Sequence, residues 1–389
     1  MKNILRRVKS LLKFFLYRYQ KYYLYRENKY QFLKKIMDPS FNWKKYRHKY
    51  NPYYLQYGFK FPMYEFEYYA LCTGIKSDLY LPIRFYQQYV FPYLDHDAWH
   101  WGYADKNMFA RFLDIKEAQR HIEVMVPECI ACCDNGRFFR GGADTICTAE
   151  EAIQLVLQST GDLIIKPTVQ SGHGHGVKII SDADKTKEQV QNIFLKYGKN
   201  FVVQKKIIQH PELARLNPTS VNTIRIATYQ DFNGYVKILY ASQRFGGEGK
   251  IYDNADDPSG SGGFCVIQSD GTLMREIHHY RNIKKTYLSS DITKKIPYFE
   301  KVQNAVLYLH TRFPHFALIG WDVSITPEGI PVILEYNFRP GLGSCQLAHG
   351  PMFNKEDLDE IMERVSKGYI INKNKFVVSF PSKEDYWIG

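Results

Sequence analysis

The sequence contains no long apolar run. Its N-terminal apolar stretch, residues 11–16, is short and includes Lys13. A helix that spans a bilayer needs about 20 apolar residues, and a secretory leader ends in a small-residue cleavage site, which does not follow this stretch. We therefore expect neither a membrane-spanning helix nor secretion.

A paired cysteine pattern is also lacking. Seven cysteines are irregularly spaced, and the cluster Cys129, Cys132, Cys133 and Cys147 has no second paired half with metal-ligand spacing. Disulfide frameworks use even numbers of cysteines, and zinc sites use two paired halves. We predict free cysteines in a reducing cytoplasm and a cluster of small buried hydrophobic side chains, with zinc as the less favoured alternative.

The positive charge is distributed unevenly. The formal net charge is +12, but residues 1–35 hold 11 Lys or Arg against the single acid Glu27, so the rest of the chain is near +2. A uniformly basic surface for nucleic acid is therefore not indicated.

The basic N-terminal stretch has its own pattern. Residues 2–37 contain neither Pro nor Gly, and apolar residues from Ile4 to Tyr19 recur every three or four positions. This spacing predicts an amphipathic helix, and its basic remainder suits the surface of an anionic bilayer. Residues 1–35 are predicted to attach the protein peripherally to the inner face of the membrane. The alternatives are docking on its own domain and, less favoured, nucleic-acid binding.

Two local signals predict short-range structure. Asn135-Gly136 between two strand-like runs is typical of a hairpin turn. Thr148, with Glu151 three residues later, predicts a capping box at the start of a helix that extends to Ser159.

A glycine-rich loop between two strands predicts a phosphate site. A buried strand at 162–167 contains Lys166, the loop Ser171-Gly172-His173-Gly174-His175-Gly176 follows, and residues 177–180 return as a strand. Glycines let backbone N–H groups approach a triphosphate, and the lysine adds a fixed positive charge. No helix begins after the glycines, which excludes the P-loop and the dinucleotide fingerprint. The alternative is a flexible hairpin with incidental histidines.

Two further strands carry candidate nucleotide and phosphoryl contacts. Residues 201–205 lead into a linker at 207–212, an arrangement that can hold an adenine through backbone hydrogen bonds. Residues 222–228 alternate as a half-buried strand, which directs Arg225 to a defined face. The rigid fork of an arginine suits a transferring phosphoryl group, and Arg244 is a second candidate.

A predicted hairpin gathers metal ligands. Residues 317–323 and 331–337 form two strands separated by a Pro-Glu-Gly turn. Alternation puts Glu335 and Asn337 on one face, and antiparallel pairing brings Asp322 beside them. Three hard oxygen ligands suit Mg²⁺, whose remaining ligands come from phosphates and water. The alternative is a set of exposed acids on an edge hairpin.

Together these motifs resemble the ATP-grasp family over about residues 105–350. The resemblance rests on Lys106, Lys166 with its glycine loop, the strand at Gln204-Lys205, Arg225, and Asp322 with Glu335-x-Asn337 followed by Pro340-Gly341. Asn222-Thr223-x-Arg225, Asp253-Asn254 and Gly262-Gly263 further resemble the sugar-transfer-associated branch, which is connected with bacterial surface-polysaccharide synthesis.

The resemblance implies a role for each matched residue. Phosphates would be held by Lys106, Lys166, Ser171, Gly172, His173, Gly174 and Gly176, and the nucleoside by Gln204, Lys205 and Glu212. Arg225 and Arg244 would contact the acyl phosphate, and Asp322, Glu335 and Asn337 would bind Mg²⁺. Lys205 stands where many relatives carry an acid.

The expected fold is α+β, an ATP-grasp fold in which two α+β lobes clasp ATP, with a helical N-terminal extension. The expected parts are a basic amphipathic helix (1–37), an N-terminal lobe (38–104), a pre-ATP-grasp segment (105–160), the ATP-grasp domain (161–350), and a C-terminal helix and tail (351–389).

The expected activity is that of an ATP- and Mg²⁺-dependent carboxylate–amine ligase. It would act through an acyl phosphate and form an amide on a sugar acid in capsule or other surface-polysaccharide synthesis. The alternatives are a kinase-like phosphotransferase and a non-catalytic ATP-binding membrane adaptor.

Overall fold

The chain divides into two compact units, one formed by Met1–His96 with Gly341–Gly389 and the other by Asp97–Pro340. The computed structural model describes residues 40–46, 48–95, 103, 105–142, 144–168, 176–247, 249–251, 253, 262–279, 286–338 and 340–375. The predicted basic helix at 1–37 lies outside these residues, and the domain boundaries expected from the sequence stay a prediction. Within the described part, no helix combines the length and apolar character needed to cross a membrane.

Helices occur in both units. The α-helices described are α1 (Pro52–Leu55), α2 (Met63–Thr73), α3 (Ile83–Phe85), α4 (Phe91–Leu94), α5 (Phe109–Phe112), α6 (Ile115–Ala118), α7 (Ala149–Gln158), α8 (Lys187–Tyr197), α9 (Pro211–Ala214), α10 (Phe299–His310), α11 (Leu342–His349) and α12 (Lys355–Lys375). A π-helical turn at Tyr86–Val90 joins α3 to α4, and 3₁₀ turns lie at Trp43–Tyr46 and Asp182–Asp184.

All strands among the described residues belong to the unit Asp97–Pro340. They are β1 (Cys129–Asp134), β2 (Arg137–Arg140), β3 (Thr145–Cys147), β4 (Leu163–Pro167), β5 (Lys178–Ile180), β6 (Phe201–Lys205), β7 (Ile224–Gln230), β8 (Val236–Phe245), β9 (Gly263–Ile267), β10 (Glu276–Ile277), β11 (Thr286–Tyr287), β12 (Leu318–Ile325) and β13 (Pro331–Asn337). The first sheet has the order β3-β2-β1-β6-β4-β5, and the second has the order β13-β12-β7-β8-β9. Every pair within both sheets is antiparallel.

Local chemistry explains two element boundaries that the sequence predicts correctly. β1 and β2 pair directly across a turn in which Asn135 and Gly136 both have positive φ angles, 48° and 82°. This conformation matches the right-handed twist of the flanking strands. At the start of α7, Glu151 N donates to Thr148 Oγ1 at 3.2 Å, and Thr148 N donates to Glu151 Oε2 at 2.8 Å, which completes the capping box.

One helix differs from its prediction. The sequence after Lys106 predicts one helical stretch that continues to about Ile115, but α5 ends at Phe112 and α6 begins at Ile115. Between them Asp114 has a φ of 45°, a left-handed conformation that breaks an α-helix.

Each sheet is covered by helices on one face. Ala152 of α7 and Phe194 of α8 pack with Ile165 of β4 in the core of the first sheet. Val306 of α10 packs with Trp321 of β12 in the core of the second sheet. Because strand side chains alternate, the polar residues between these core positions point away from the helices.

The other unit is built around aromatic side chains, which accounts for much of the high aromatic content. Tyr54, Tyr69 and Tyr80 are fully buried, and the rings of Tyr69 and Tyr80 stack at 4.8 Å. The side-chain amide of Gln346 in α11 exchanges two hydrogen bonds with the backbone of Leu81, at 2.7 and 2.8 Å. This exchange joins the segment after residue 341 to the N-terminal helices.

Candidate active site

A row of polar side chains crosses four strands of the second sheet on the face opposite α10. Ser242 of β8 pairs with Arg225 of β7, Arg225 pairs with Asp322 of β12, and Asp322 pairs with Glu335 of β13. Directly opposed residues in antiparallel strands share a face. The pairing of β12 with β13 confirms the predicted hairpin and places Asp322 beside Glu335.

Arg225 and Asp322 form a bidentate ion pair within this row. Arg225 Nε donates to Asp322 Oδ1 at 2.5 Å, and Arg225 Nη2 donates to Asp322 Oδ2 at 2.8 Å. Burial alone would raise the pKa of Asp322, but Arg225 and Arg244 outweigh it and hold the pKa below its usual value. Asp322 is therefore a carboxylate at neutral pH, and Arg225 is held in one orientation.

Arg244 lies beside this pair with looser contacts. Its Nη1 is 3.6 Å from Asp322 Oδ1, and its Nη2 donates to the backbone oxygen of Asp253 at 3.0 Å. Thr223 Oγ1 donates to the carboxylate of Asp253. Burial raises the pKa of Asp253, although Arg244 opposes the shift. The structure thus brings both predicted arginines to one patch. It also places Asp253 there, a residue that contributed to the family resemblance but had no predicted role in the site.

The opposite end of the row carries two lysines. Lys106 Nζ lies 3.2 Å from Glu335 Oε1, and Lys106 N donates to the backbone oxygen of Thr168, just beyond β4. Burial lowers the pKa of Lys166 to about 8, Glu335 raises it in part, and Lys106 lowers it further. A buried lysine near a second cation gains from an anionic ligand, so this end of the row is suited to phosphate.

The three predicted metal ligands lie together but are not equivalent. Glu335 is about one third exposed, at 36% of its side chain. Asn337 Nδ2 is 3.4 Å from Asp322 Oδ2. Asp322 already has both oxygens on Arg225. In the described residues, no group of three or more His, Cys, Asp or Glu side chains is arranged to hold a metal ion.

The donor set nevertheless suits Mg²⁺ in character. Two carboxylates and an amide are hard oxygen donors, and this ion completes its shell with phosphates and water. Glu335 is more accessible than Asp322, with side-chain exposures of 36% and 12%, and Asp322 would have to share its oxygens with Arg225. The metal role of Asp322, Glu335 and Asn337 stays a prediction.

A cavity opens between the two sheets at Lys106, Lys166 and Glu335. It is lined by Tyr103, Asp105, Lys106, Phe109, Lys166, Gln204, Leu334, Glu335 and Tyr336. Lys106, Lys166, Gln204 and Glu335 were predicted from the sequence. The aromatic lining was missed because it comes from residues that are distant in sequence, as in the bond from Tyr336 Oη to the backbone oxygen of Tyr103 at 2.9 Å.

Two predicted nucleoside residues lie outside this lining. Lys205 Nζ pairs with Glu128 Oε2 at 2.7 Å, so a carboxylate of the chain balances its charge. Glu212 Oε1 lies 3.8 Å from Arg215 Nη1, and the Glu212 side chain is 40% exposed. Their nucleoside roles stay predictions.

The glycine loop is only partly described. Residues 171–175, which include the predicted Ser171, Gly172, His173 and Gly174, lie outside the described residues. Gly176 has a φ of 77°, and a Cβ there would lie 2.8 Å from the Pro167 ring. Any side chain at 176 would therefore be strained, which explains a glycine at this end of the loop.

The cysteine cluster lies on the first sheet. Cys132 and Cys133 are fully buried in β1, as predicted for small hydrophobic side chains. Cys129 Sγ donates to the backbone oxygen of Gly141 at 2.9 Å. All seven cysteines are free thiols.

Comparison with protein families decides the classification. A family model described as sugar-transfer associated ATP-grasp matches residues 103–363, well over half of the chain. The chain belongs to the sugar-transfer-associated ATP-grasp family. Family membership confirms the resemblance and the α+β ATP-grasp fold expected from the sequence.

Solved structures with similar folds include three from bacteria. The biotin carboxylase domain of 2-oxoglutarate carboxylase from Hydrogenobacter thermophilus is 12% identical, with a TM-score of 0.40, over 68% of this chain and 46% of that chain. D-alanine–D-alanine ligase from Bacillus anthracis is 17% identical, with a TM-score of 0.37, over 69% of each chain. A D-Ala:D-Ser ligase from Enterococcus faecalis is 13% identical, with a TM-score of 0.39, over 68% of this chain and 61% of that chain. A search of curated proteins finds no match to this ATP-grasp protein.

Proposed function

We propose that this ATP-grasp protein is an ATP- and Mg²⁺-dependent carboxylate–amine ligase that acts through an acyl phosphate. The observation that carries the proposal is the charged row on the second sheet. It runs from Lys106 beside Glu335 to Arg225 and Arg244 beside Asp322. Cations therefore lie at both ends of the row, with carboxylates between them.

The lysine end would hold the phosphates of ATP. Lys166 has a pKa of about 8 because it is buried, so a phosphate ligand would favour its charged form. Lys106 Nζ lies 3.2 Å from Glu335 Oε1 and would exchange this carboxylate for a phosphate oxygen when ATP binds. Gln204 lines the same cavity and would contact the nucleoside.

The arginine end would hold the acyl phosphate. A substrate carboxylate oxygen attacks the γ-phosphorus, the bond from that phosphorus to the bridging oxygen breaks, and ADP leaves. Arg225 and Arg244 would neutralise the charge spread over the transferring oxygens. An amine then attacks the acyl carbon, inorganic phosphate leaves, and the nitrogen loses a proton. No Ser, Cys or His nucleophile is required.

Magnesium would be held by Glu335 and Asn337, with Asp322 as a third ligand. When bound, the ion would supply positive charge to the phosphate oxygens. The residues of the chain would orient the reactants and exclude water, with Arg225 fixed by its two bonds to Asp322.

Product analysis tests this proposal. The protein is incubated with ATP, Mg²⁺ and a panel of uronic acids and amino acids, and the products are identified by mass spectrometry. A ligase releases phosphate only when both a carboxylate and an amine are present. Phosphate transfer to a single acceptor would indicate a kinase-like phosphotransferase instead, and ATP binding without any product would indicate an adaptor.

The sugar-acid substrate is the finer part of the proposal. Its support is the description of the matched family, which associates these proteins with sugar transfer. When simple aliphatic carboxylates of equal charge are added to the panel, uronic acids should therefore support more product than they do. Equal use of both would remove the assignment to capsule or other surface-polysaccharide synthesis.

Peripheral attachment to the inner face of the membrane is proposed for residues 1–35. Its support is the charge excess of that stretch, up to about 1 kcal/mol per Lys or Arg near an anionic surface. Co-sedimentation with anionic vesicles should decrease when residues 1–35 are deleted, and high salt should weaken binding of the full chain. Equal binding of both chains would contradict attachment through this stretch.

A further inference from the structure

The linker after β6 is fixed at both ends. Lys206 N donates to the backbone oxygen of Asp162, beside the first sheet, at 3.0 Å. His210 N donates to the backbone oxygen of Ile325, at the end of β12 in the second sheet, at 2.6 Å. Residues 206–210 therefore run from the strand of Gln204 to the sheet that carries the arginines.

Within this linker, the side chain of Gln209 forms two backbone hydrogen bonds of the kind that a neighbouring strand would form. Its Nε2 donates to the backbone oxygen of Ser220 at 2.6 Å, and its Oε1 accepts from the backbone nitrogen of Asn222 at 3.0 Å. One amide thus satisfies both a carbonyl and an N–H of the segment that enters β7. Ser220 and Asn222 are buried, at 5% and 0% exposure. Leaving their backbone groups unpaired would be costly.

Residues 220–222, which are bonded to Gln209, lead directly to the strands of the arginines. Asn222 Nδ2 donates to the backbone oxygens of Leu213 and Asn217, at 2.8 and 3.0 Å, which fixes the residue before Thr223. The backbone oxygen of Thr223 accepts from Arg244 N at 2.7 Å, and Arg225 follows two residues later. The hydrogen bonds of Gln209 and Asn222 therefore connect the linker to the two strands that carry the arginines.

We propose that Gln209 is a positioning residue that locks the nucleoside-binding linker to the start of β7, so that binding of the adenosine part of a nucleotide depends on it. The inference rests on the proposed function in one respect, because it requires that β6 and the linker contact the nucleoside. Gln209 is not among the residues proposed to bind the phosphates, and its side-chain hydrogen bonds are with Ser220 and Asn222.

Glutamine suits this position because both halves of its amide are used. Gln209→Glu keeps the length and the acceptor but loses the donor, and it places a carboxylate against the Ser220 carbonyl. Gln209→Ala loses both bonds. Gln303→Ala is the matched control, since Gln303 Nε2 donates to the backbone oxygen of Ser269 at 3.1 Å in the same unit but away from the linker.

Calorimetric titrations with ADP and with inorganic tripolyphosphate test the proposal, with the melting temperature recorded for each variant. Both Gln209 variants should bind ADP about five- to tenfold more weakly, the scale of one or two lost hydrogen bonds. Their affinity for tripolyphosphate, which lacks the nucleoside, should stay within about twofold of wild type. Gln303→Ala should bind both ligands as the wild type does.

Two outcomes overturn the inference while leaving the ATP site in place. One is unchanged ADP affinity in both Gln209 variants. The other is an equal loss for ADP and tripolyphosphate with a lowered melting temperature, which would make Gln209 a general structural contact. Failure of the wild-type protein to bind ADP is a separate result, and it would remove the proposed function together with this inference.

Discussion

On β7 and β12, neighbouring polar side chains face opposite sides of one sheet and meet different environments. Toward α10, Thr228 accepts from Trp321 Nε1 at 2.8 Å and lies 2.6 Å from His310 Nδ1. His310 Nε2 lies 2.9 Å from the backbone oxygen of Phe316. Because a carbonyl only accepts, Nε2 carries the proton, and the Thr228 hydroxyl donates to Nδ1. Every polar group of this buried network has a partner within the protein.

The opposite face keeps its charges more accessible. Arg225 and Asp322 are tightly paired, but Arg244 contacts Asp322 at 3.6 Å and Glu335 is 36% exposed. Lys106 and Glu335 line the cavity, where their pair can exchange partners with a ligand, whereas a buried and completed network cannot. The same strands therefore supply a core face that contributes stability and a cleft face that carries the residues proposed for catalysis.

The largest expected effect comes from the predicted metal ligands on the cleft face. Glu335→Ala or Asn337→Ala should lower turnover at least about 100-fold, because each removes a predicted Mg²⁺ ligand from an accessible position. The melting temperature of both variants should change little. The control is Glu328→Ala, in the exposed turn of the same hairpin, which should leave turnover unchanged. Turnover within about threefold of wild type in both site variants would refute the metal assignment.

On the core face the expected effect is on stability alone. Thr228→Val keeps the shape but leaves the Trp321 N–H and the His310 nitrogen without their partner, which should cost about 2–4 kcal/mol of unfolding free energy. Urea denaturation measures this loss, and calorimetry should show ADP affinity within about twofold of wild type. A large loss of affinity would mean that the two faces are not independent.

The stability of the core face should also depend on pH. Burial lowers the pKa of His310 to about 4, below the value of about 6.5 expected in the unfolded chain. Between these values the unfolded state binds more protons, so stability is present above pH 6.5 and is lost as pH falls toward 4, by up to about 3 kcal/mol.

Denaturation of wild type and of His310→Gln from pH 4 to 7 measures this contribution. Subtracting the two pH profiles removes the carboxyl groups that titrate in the same range. Identical profiles would show that His310 does not titrate between folded and unfolded states.

The smallest expected effect is the loss of one cation at the phosphate end. Lys166→Met should weaken ATP binding by about 1–3 kcal/mol, because a charge-assisted hydrogen bond to phosphate is lost. Since the pKa of Lys166 is about 8, wild-type affinity should fall as pH rises through 8, and the variant should not show this fall. Lys178→Met, on the exposed side of β5, is the control. Unchanged affinity in Lys166→Met would place the triphosphate elsewhere.

The sequence predicts local features well because their causes are local. The Asn135-Gly136 turn needs only two residues with positive φ, and the capping box joins Thr148 to a residue only three positions later. Strand bounds were also accurate where apolar runs end in turns, as at Pro331–Asn337. The alternation of β7 correctly separated Arg225 from Thr228.

Long-range features were not predictable in the same way. The bidentate bond of Arg225 to Asp322 depends on the register between two strands almost 100 residues apart. The contribution of Tyr103 to the cavity depends on packing against β13, and the bridge by Gln209 depends on a loop that approaches from another sheet. Neither the periodicity nor the composition of the sequence indicates such contacts, because tertiary packing determines them.

Oxygen transfer tests the central claim most directly. A carboxylate that supports product formation in the panel is labelled with ¹⁸O in its carboxyl group, and the phosphate released with ATP and amine is analysed by mass spectrometry. If an acyl phosphate forms, one carboxyl oxygen leaves with the phosphate, so each turnover should give phosphate carrying one ¹⁸O. Unlabelled phosphate, released at the same rate as the product forms, would contradict an acyl-phosphate ligase at this site.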